Sequence, residues 1–205
     1  TPSGAYTSLG AILRFCDEHL PESERLVPAG EAAAREVATL EALFDDKLGP
    51  AVRRLAYYHL LPHADVALAV LTAGVPPWER AVFRAGRPLV VRLLRRGLRI
   101  GEESARRSRE RIDAVFADVA HRISGGKPYL VGSRFSAADL TFAALAAPLL
   151  RPAEYPVALG EAVARVPGYA QELRATPAGA FALRLYREHR QARGAASGVA
   201  AAAAL

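Results

Sequence analysis

Phe135-Ser136-Ala137-Ala138-Asp139-Leu140 carries a full grammar for starting a helix. Ser136 can cap the backbone amide of Asp139, while the Asp139 carboxylate reaches back to the amide of Ser136. This is the reciprocal pairing of a capping box, with aspartate where glutamate is commoner. Phe135 and Leu140 stand at the staple positions and are expected to pack across the turn. The run from Ala137 to Leu150 is almost wholly apolar, which predicts a helix buried on all sides at the centre of a bundle. Asp139 is thus read as a structural residue, and its loss should cost about 1 kcal/mol or more.

Outward from this helix, apolar residues recur at three and four and strand signals are nearly absent. Ser8 to Glu18 reads as a first helix, with Leu9, Ile12, Leu13 and Cys16 on one face and Ser8 as its cap. His19 to Gly30, with Pro21 and Pro28, is a linker. Glu31 to Leu48 follows as a helix, and Gly49-Pro50 is read as a break before the next, Ala51 to Leu61. Pro62 should kink or restart the chain before His63 to Ala73. Two short helices, Pro77 to Ala85 and Pro88 to Arg96, precede a long one from Glu102 to Ser124 with Ile112, Val115, Phe116, Val119 and Ile123 as its buried stripe. Pro167 to Ala175 and Ala178 to Arg193 complete an all-α chain.

Composition limits the function classes. Half of the 205 residues are apolar and nearly a quarter charged, so one sizeable core can be buried. No apolar run reaches the roughly 20 residues of a bilayer span, and the opening residues lack a signal-peptide pattern. One cysteine, Cys16, fits a reducing compartment and excludes an internal disulfide framework, so a cytoplasmic location is expected. The net charge of +6 rests almost entirely on arginine, since Lys47 and Lys127 are the only lysines; this skew suggests coding bias, and no nucleic-acid or membrane partner is expected.

The segment Lys127 to Leu140, read through Pro128-Tyr129-Leu130-Val131-Gly132-Ser133-Arg134 into the capped helix, resembles the entry to the core helix of glutathione transferases. The usual pattern has aspartate where this chain has Ser133. Leu26-Val27-Pro28 before a long helix and the closing helix also fit in order. The resemblance, from about Ser8 to Arg193, implies a glutathione transferase C-terminal-like helical bundle. It implies residues 1–29 as a remnant of the thioredoxin-like domain, one helix plus linker, and 30–193 as the helical domain; low-complexity composition sets 194–205 apart as an expected flexible tail. It also implies a homodimer.

In that family, a thioredoxin-like domain holds the thiol of glutathione as the thiolate that attacks electrophiles. Nothing before Ser8 supplies such a unit, so the chain alone is expected to be inactive in conjugation. Ser8 is the candidate glutathione contact by resemblance; a plain helix cap is its other reading. The resemblance also marks the helix of Tyr57, Tyr58, His59 and His63 as the wall of the cleft for a small hydrophobic electrophile. Phenol and imidazole groups beside an apolar wall can orient such a ligand and move a proton near neutral pH; core packing is the alternative.

Although His59 and His63 are four apart, Pro62 between them argues against a metal site, and none is expected. Arg92, Arg95, Arg96 and Arg99 fall on one basic stripe, with a solvated face, a carboxylate-rich partner, an anionic ligand and an anionic membrane surface as its readings. Trp78 is expected to anchor a loop against the bundle. Two functions emerge: a glutathione transferase-like protein binding a hydrophobic electrophile, or a non-catalytic binding or scaffold module derived from that family.

Overall fold

The computed structural model describes residues 9–72, 74–155 and 168–190, and among them every regular element is helical. The elements are α1 (Leu9–Glu18), α2 (Glu31–Leu43), α3 (Gly49–Leu60), α4 (Ala64–Leu71), α5 (Pro77–Gly97), α6 (Glu102–Arg122), α7 (Ala137–Leu150), α8 (Gly168–Ala175) and α9 (Pro177–His189).

As the sequence predicts, α7 is the hub. Ten of its residues are buried, and α2, α3, α8 and α9 pack around it. Phe142 is fully buried and meets Phe44, Phe116 and Phe181, with ring centroids 5.4, 5.4 and 6.3 Å away. Aromatic rings from three separate segments therefore converge on one side chain, which removing would cost about 3–5 kcal/mol. The capping box is present. Asp139 does more than the motif requires: Oδ2 accepts from the Ser136 amide at 2.9 Å and its hydroxyl at 2.7 Å, while Oδ1 accepts from the Leu130 amide at 2.9 Å. One carboxylate thus closes the helix start and fastens the preceding loop. Burial pushes the Asp139 carboxyl above its ordinary pKa, and these three donors pull it part of the way back.

Four expectations need correction. Gly49-Pro50 is not a break: α2 runs into α3 through a π turn, Phe44–Leu48, in which the Gly49 amide bonds to the Phe44 carbonyl. Pro50 has no N–H and its ring clashes with a regular helical turn, and the widened turn absorbs both problems. Gly49 also lets α7 come close, since a Cβ there would lie 3.3 Å from a methyl group of Leu145, which would have to shift slightly. Likewise, Pro88 does not divide two short helices but lies inside the single helix α5. In α1, Ile12 and Cys16 face outward; the side turned to the bundle carries Leu13 and buried Asp17. Finally, Trp78 anchors nothing and is 67% exposed. Ser8 and the 194–205 tail lie outside the described residues.

Asp17 explains how the linker is held. Its two carboxylate oxygens accept the amides of Leu26 and Val27, each at 2.7 Å, and the Leu26 carbonyl accepts the Ala137 amide at 2.9 Å. The linker thereby docks on the first residue of α7. At the other end of the bundle, Arg54 of α3 donates to the Leu98 carbonyl at 2.9 Å and to Ser108 of α6 at 3.2 Å. This arginine fixes the α5–α6 turn against α3, which is where the cleft lies.

Candidate functional site

The last turn of α3 presents Tyr58 and His59, and the chain then breaks at Pro62, as its fixed φ and missing donor require. His63 follows in an extended conformation (φ −92°, ψ 94°) as the residue that starts α4. The break carries His63 around beside His59 instead of one turn above it. Across from them stand Arg95 from the end of α5 and Ile100 and Gly101 from the α5–α6 turn. Together with Pro62 these residues line a cleft of ≈ 360 Å³.

Three of the four sequence-predicted site residues, Tyr58, His59 and His63, are thus brought together. Tyr57 is half-buried and does not line the cleft, because neighbouring helical positions point about 100° apart. Arg95, Ile100 and Gly101 were missed as site residues. Arg95 was legible only as part of a basic stripe, and no local signal joins it to a histidine more than thirty positions earlier. Its placement depends on the turn after α5: the Ile100 amide closes onto the Arg95 carbonyl at 2.8 Å, and Arg99 adopts a left-handed φ of 50°. That turn also takes Arg99 off the stripe it shares with Arg92, Arg95 and Arg96 in a straight helix.

The cleft is basic and carries no carboxylate. His59 is half-buried, and its pKa lies below the ordinary imidazole value, chiefly through desolvation, with the charges of Arg109 and His63 adding to the effect. At neutral pH it is therefore an uncharged imidazole, able to accept a hydrogen bond or take up a proton. Its ring meets Tyr58 edge-on, with centroids 5.2 Å apart and planes at 78°. That contact fixes the orientation of both polar tips. Among the described residues no three His, Cys, Asp or Glu side chains gather in a geometry that would hold a metal ion. Ser8, the glutathione candidate, lies outside the described residues.

The described residues thus form an all-helical bundle organised on a capped central helix, with a polar-rimmed cleft at the end of α3. Residues 87–177 match the family model described as glutathione S-transferase, C-terminal domain, consistent with a helical domain of that kind over this span. The match takes in Arg95, Ile100, Gly101 and the whole of α6 and α7; Tyr58, His59 and His63 lie before it. No curated protein and no solved structure matches the chain.

Proposed function

We propose that this chain serves glutathione-dependent chemistry by binding a small hydrophobic electrophile in the cleft of Tyr58, His59 and His63. The observation that carries the reading is the convergence of these three side chains, with Arg95 opposite, in a domain matched to the glutathione S-transferase C-terminal family. The apolar wall of Pro62 and Ile100 suits the carbon skeleton of the electrophile. Tyr58 and the imidazoles supply a few orienting hydrogen bonds, and Arg95 favours an electrophile bearing an anionic or strongly electron-withdrawing group.

The reaction so served is thiolate attack. A carbon–sulfur bond forms on the electrophile, and the leaving group departs with its electron pair. A group that holds the thiol as thiolate would complete the site. The described residues form no sheet of the thioredoxin-like kind, so turnover is expected to require that unit. A homodimer and a cytoplasmic location belong to the same reading, the first checked by light scattering and the second by fractionation.

Two assays on the chain test it. Equilibrium binding of an activated aryl chloride should be saturable and fall at least tenfold in His59→Ala, while conjugation with added glutathione should stay at the uncatalysed rate. Robust turnover would contradict the division of labour, and binding unaffected by His59→Ala would remove the cleft from the account. The second reading, a non-catalytic binding or scaffold module, is favoured if the cleft binds glutathione-free ligands alone, whatever unit is joined to the chain.

A further inference from the structure

Helix α5 is set apart from the rest of the bundle. None of its residues is buried, and α4 is its main neighbour. Yet four of its large apolar side chains point into solvent: Trp78 is 67% exposed, Val82 65%, Leu89 62% and Leu93 59%. At about 100° per residue these four fall within an arc of about 60°, a straight ridge about 22 Å long. The half-buried Phe83, Val90 and Leu94 occupy a neighbouring arc and face the bundle. The exposed ridge is thus a second apolar face, separate from the one that attaches the helix.

Charge says what covers it. Residues 77–100 hold seven arginines against one acidic residue, Glu79, an excess of six that equals the +6 of the whole chain. The remaining residues are neutral on balance, so the entire net charge of the protein is concentrated on this helix and its turn. Arg92 and Arg96 are exposed along the edge of the ridge, while Arg80, Arg84 and Arg95 are exposed farther round the helix. An exposed Trp, Val and Leu ridge bordered by Arg92 and Arg96, on a helix whose other exposed side is rich in arginine, is the make-up of a helix that lies in the plane of a membrane interface. Among the described residues no helix is long and apolar enough to cross a membrane, and an interfacial helix does not need to be.

We propose that α5 docks this protein peripherally on an anionic phospholipid surface, with Trp78, Val82, Leu89 and Leu93 entering the headgroup–acyl boundary and the arginines beside them on lipid phosphates and carboxylates. A second copy of this chain is a poorer occupant, because two-fold pairing through this face sets one strongly positive helix against another. A nucleic acid would satisfy the arginines but leave the apolar ridge in water.

Trp78 is the only tryptophan in the chain, so its fluorescence reports on this helix alone. The test uses the intact chain with vesicles of phosphatidylcholine containing about one-third phosphatidylserine, against vesicles of phosphatidylcholine only. The expected result is a blue shift of Trp78 emission and co-sedimentation with the anionic vesicles, both suppressed by high salt. Affinity should fall about fivefold for each arginine removed in Arg92→Gln and Arg96→Gln, and about tenfold for each of Leu89→Ser and Leu93→Ser. All four positions are exposed, so unchanged helical circular dichroism confirms that the variants fold.

The proposal is overturned by failure to bind the anionic vesicles, by equal binding to both vesicle types, or by full affinity in the leucine variants. Two further outcomes replace it. Blue-shifted emission in a vesicle-free dimer identifies a second copy as the occupant, and binding to duplex DNA without binding to vesicles identifies nucleic acid.

Discussion

Asp139→Ala probes the junction on which the bundle is organised. The substitution strips acceptors from two backbone amides, Leu130 and Ser136, at a residue with no exposed surface. Each buried amide left unpaired costs about 1–3 kcal/mol, and the Ser136 hydroxyl can turn to another acceptor. Against that loss, burial holds the Asp139 carboxyl above its ordinary pKa, so its removal relieves some desolvation. The net destabilisation is expected to be about 3 kcal/mol, a large share of the roughly 5–15 kcal/mol of an ordinary domain. Urea unfolding followed by helical circular dichroism measures it. The midpoint should fall with the slope unchanged, and melting should drop by about 10 °C.

The pH dependence supplies a second reading of the same variant. A carboxyl raised in the folded state stabilises the fold fully below its unfolded pKa, and that contribution is lost as pH rises through the folded value. Asp139→Ala should remove this component from the acid side of the stability profile. A loss below 1 kcal/mol, the size of an ordinary exposed cap, would refute the claim that one carboxylate joins the loop at Leu130 to the start of α7.

Three other perturbations follow from the same coordinates. Gly179→Ala should destabilise by about 3 kcal/mol or prevent folding, because a Cβ there would meet the Leu173 carbonyl oxygen at 1.9 Å; expression and thermal melting decide it. Asp17→Ala should cost about 2 kcal/mol by releasing the amides of Leu26 and Val27, with faster amide exchange at those two positions as its signature. His59 should titrate below the ordinary imidazole value by NMR. Since its neutral form is favoured by folding, stability should decline as pH falls through that region, and His59→Gln should flatten that part of the profile.

What could be read in the sequence was what rests on local chemistry. Ser136 and Asp139 sit three apart, so their reciprocal bonds are written in the order of residues, and the apolar run to Leu150 places the helix inside. The third bond of Asp139, to Leu130, was not legible, because a loop must fold back before that amide meets the carboxylate. Proline misled in two places: Pro50 and Pro88 each forbid one backbone bond, but a π turn before Pro50 and a tolerated gap at Pro88 let the helical path continue. Trp78 illustrates a different limit. A large aromatic after Pro76-Pro77 looks like an anchor, yet whether anything lies opposite depends on how α5 leaves the bundle. In the candidate site, Tyr58, His59 and His63 were marked by the family resemblance together with their residue types. Arg95 required the α5–α6 turn, and the exclusion of Tyr57 required the helix phase.

The cleft can be interrogated through its imidazoles, since the chain has five histidines whose ring protons are separable by NMR. On titration with an activated aryl chloride, the rings of His59 and His63 should shift together and saturate, while those of His19, His121 and His189 stay in place. Unmoved resonances at His59 and His63, or shifts confined to the other three, would contradict a ligand site between α3 and the α5–α6 turn.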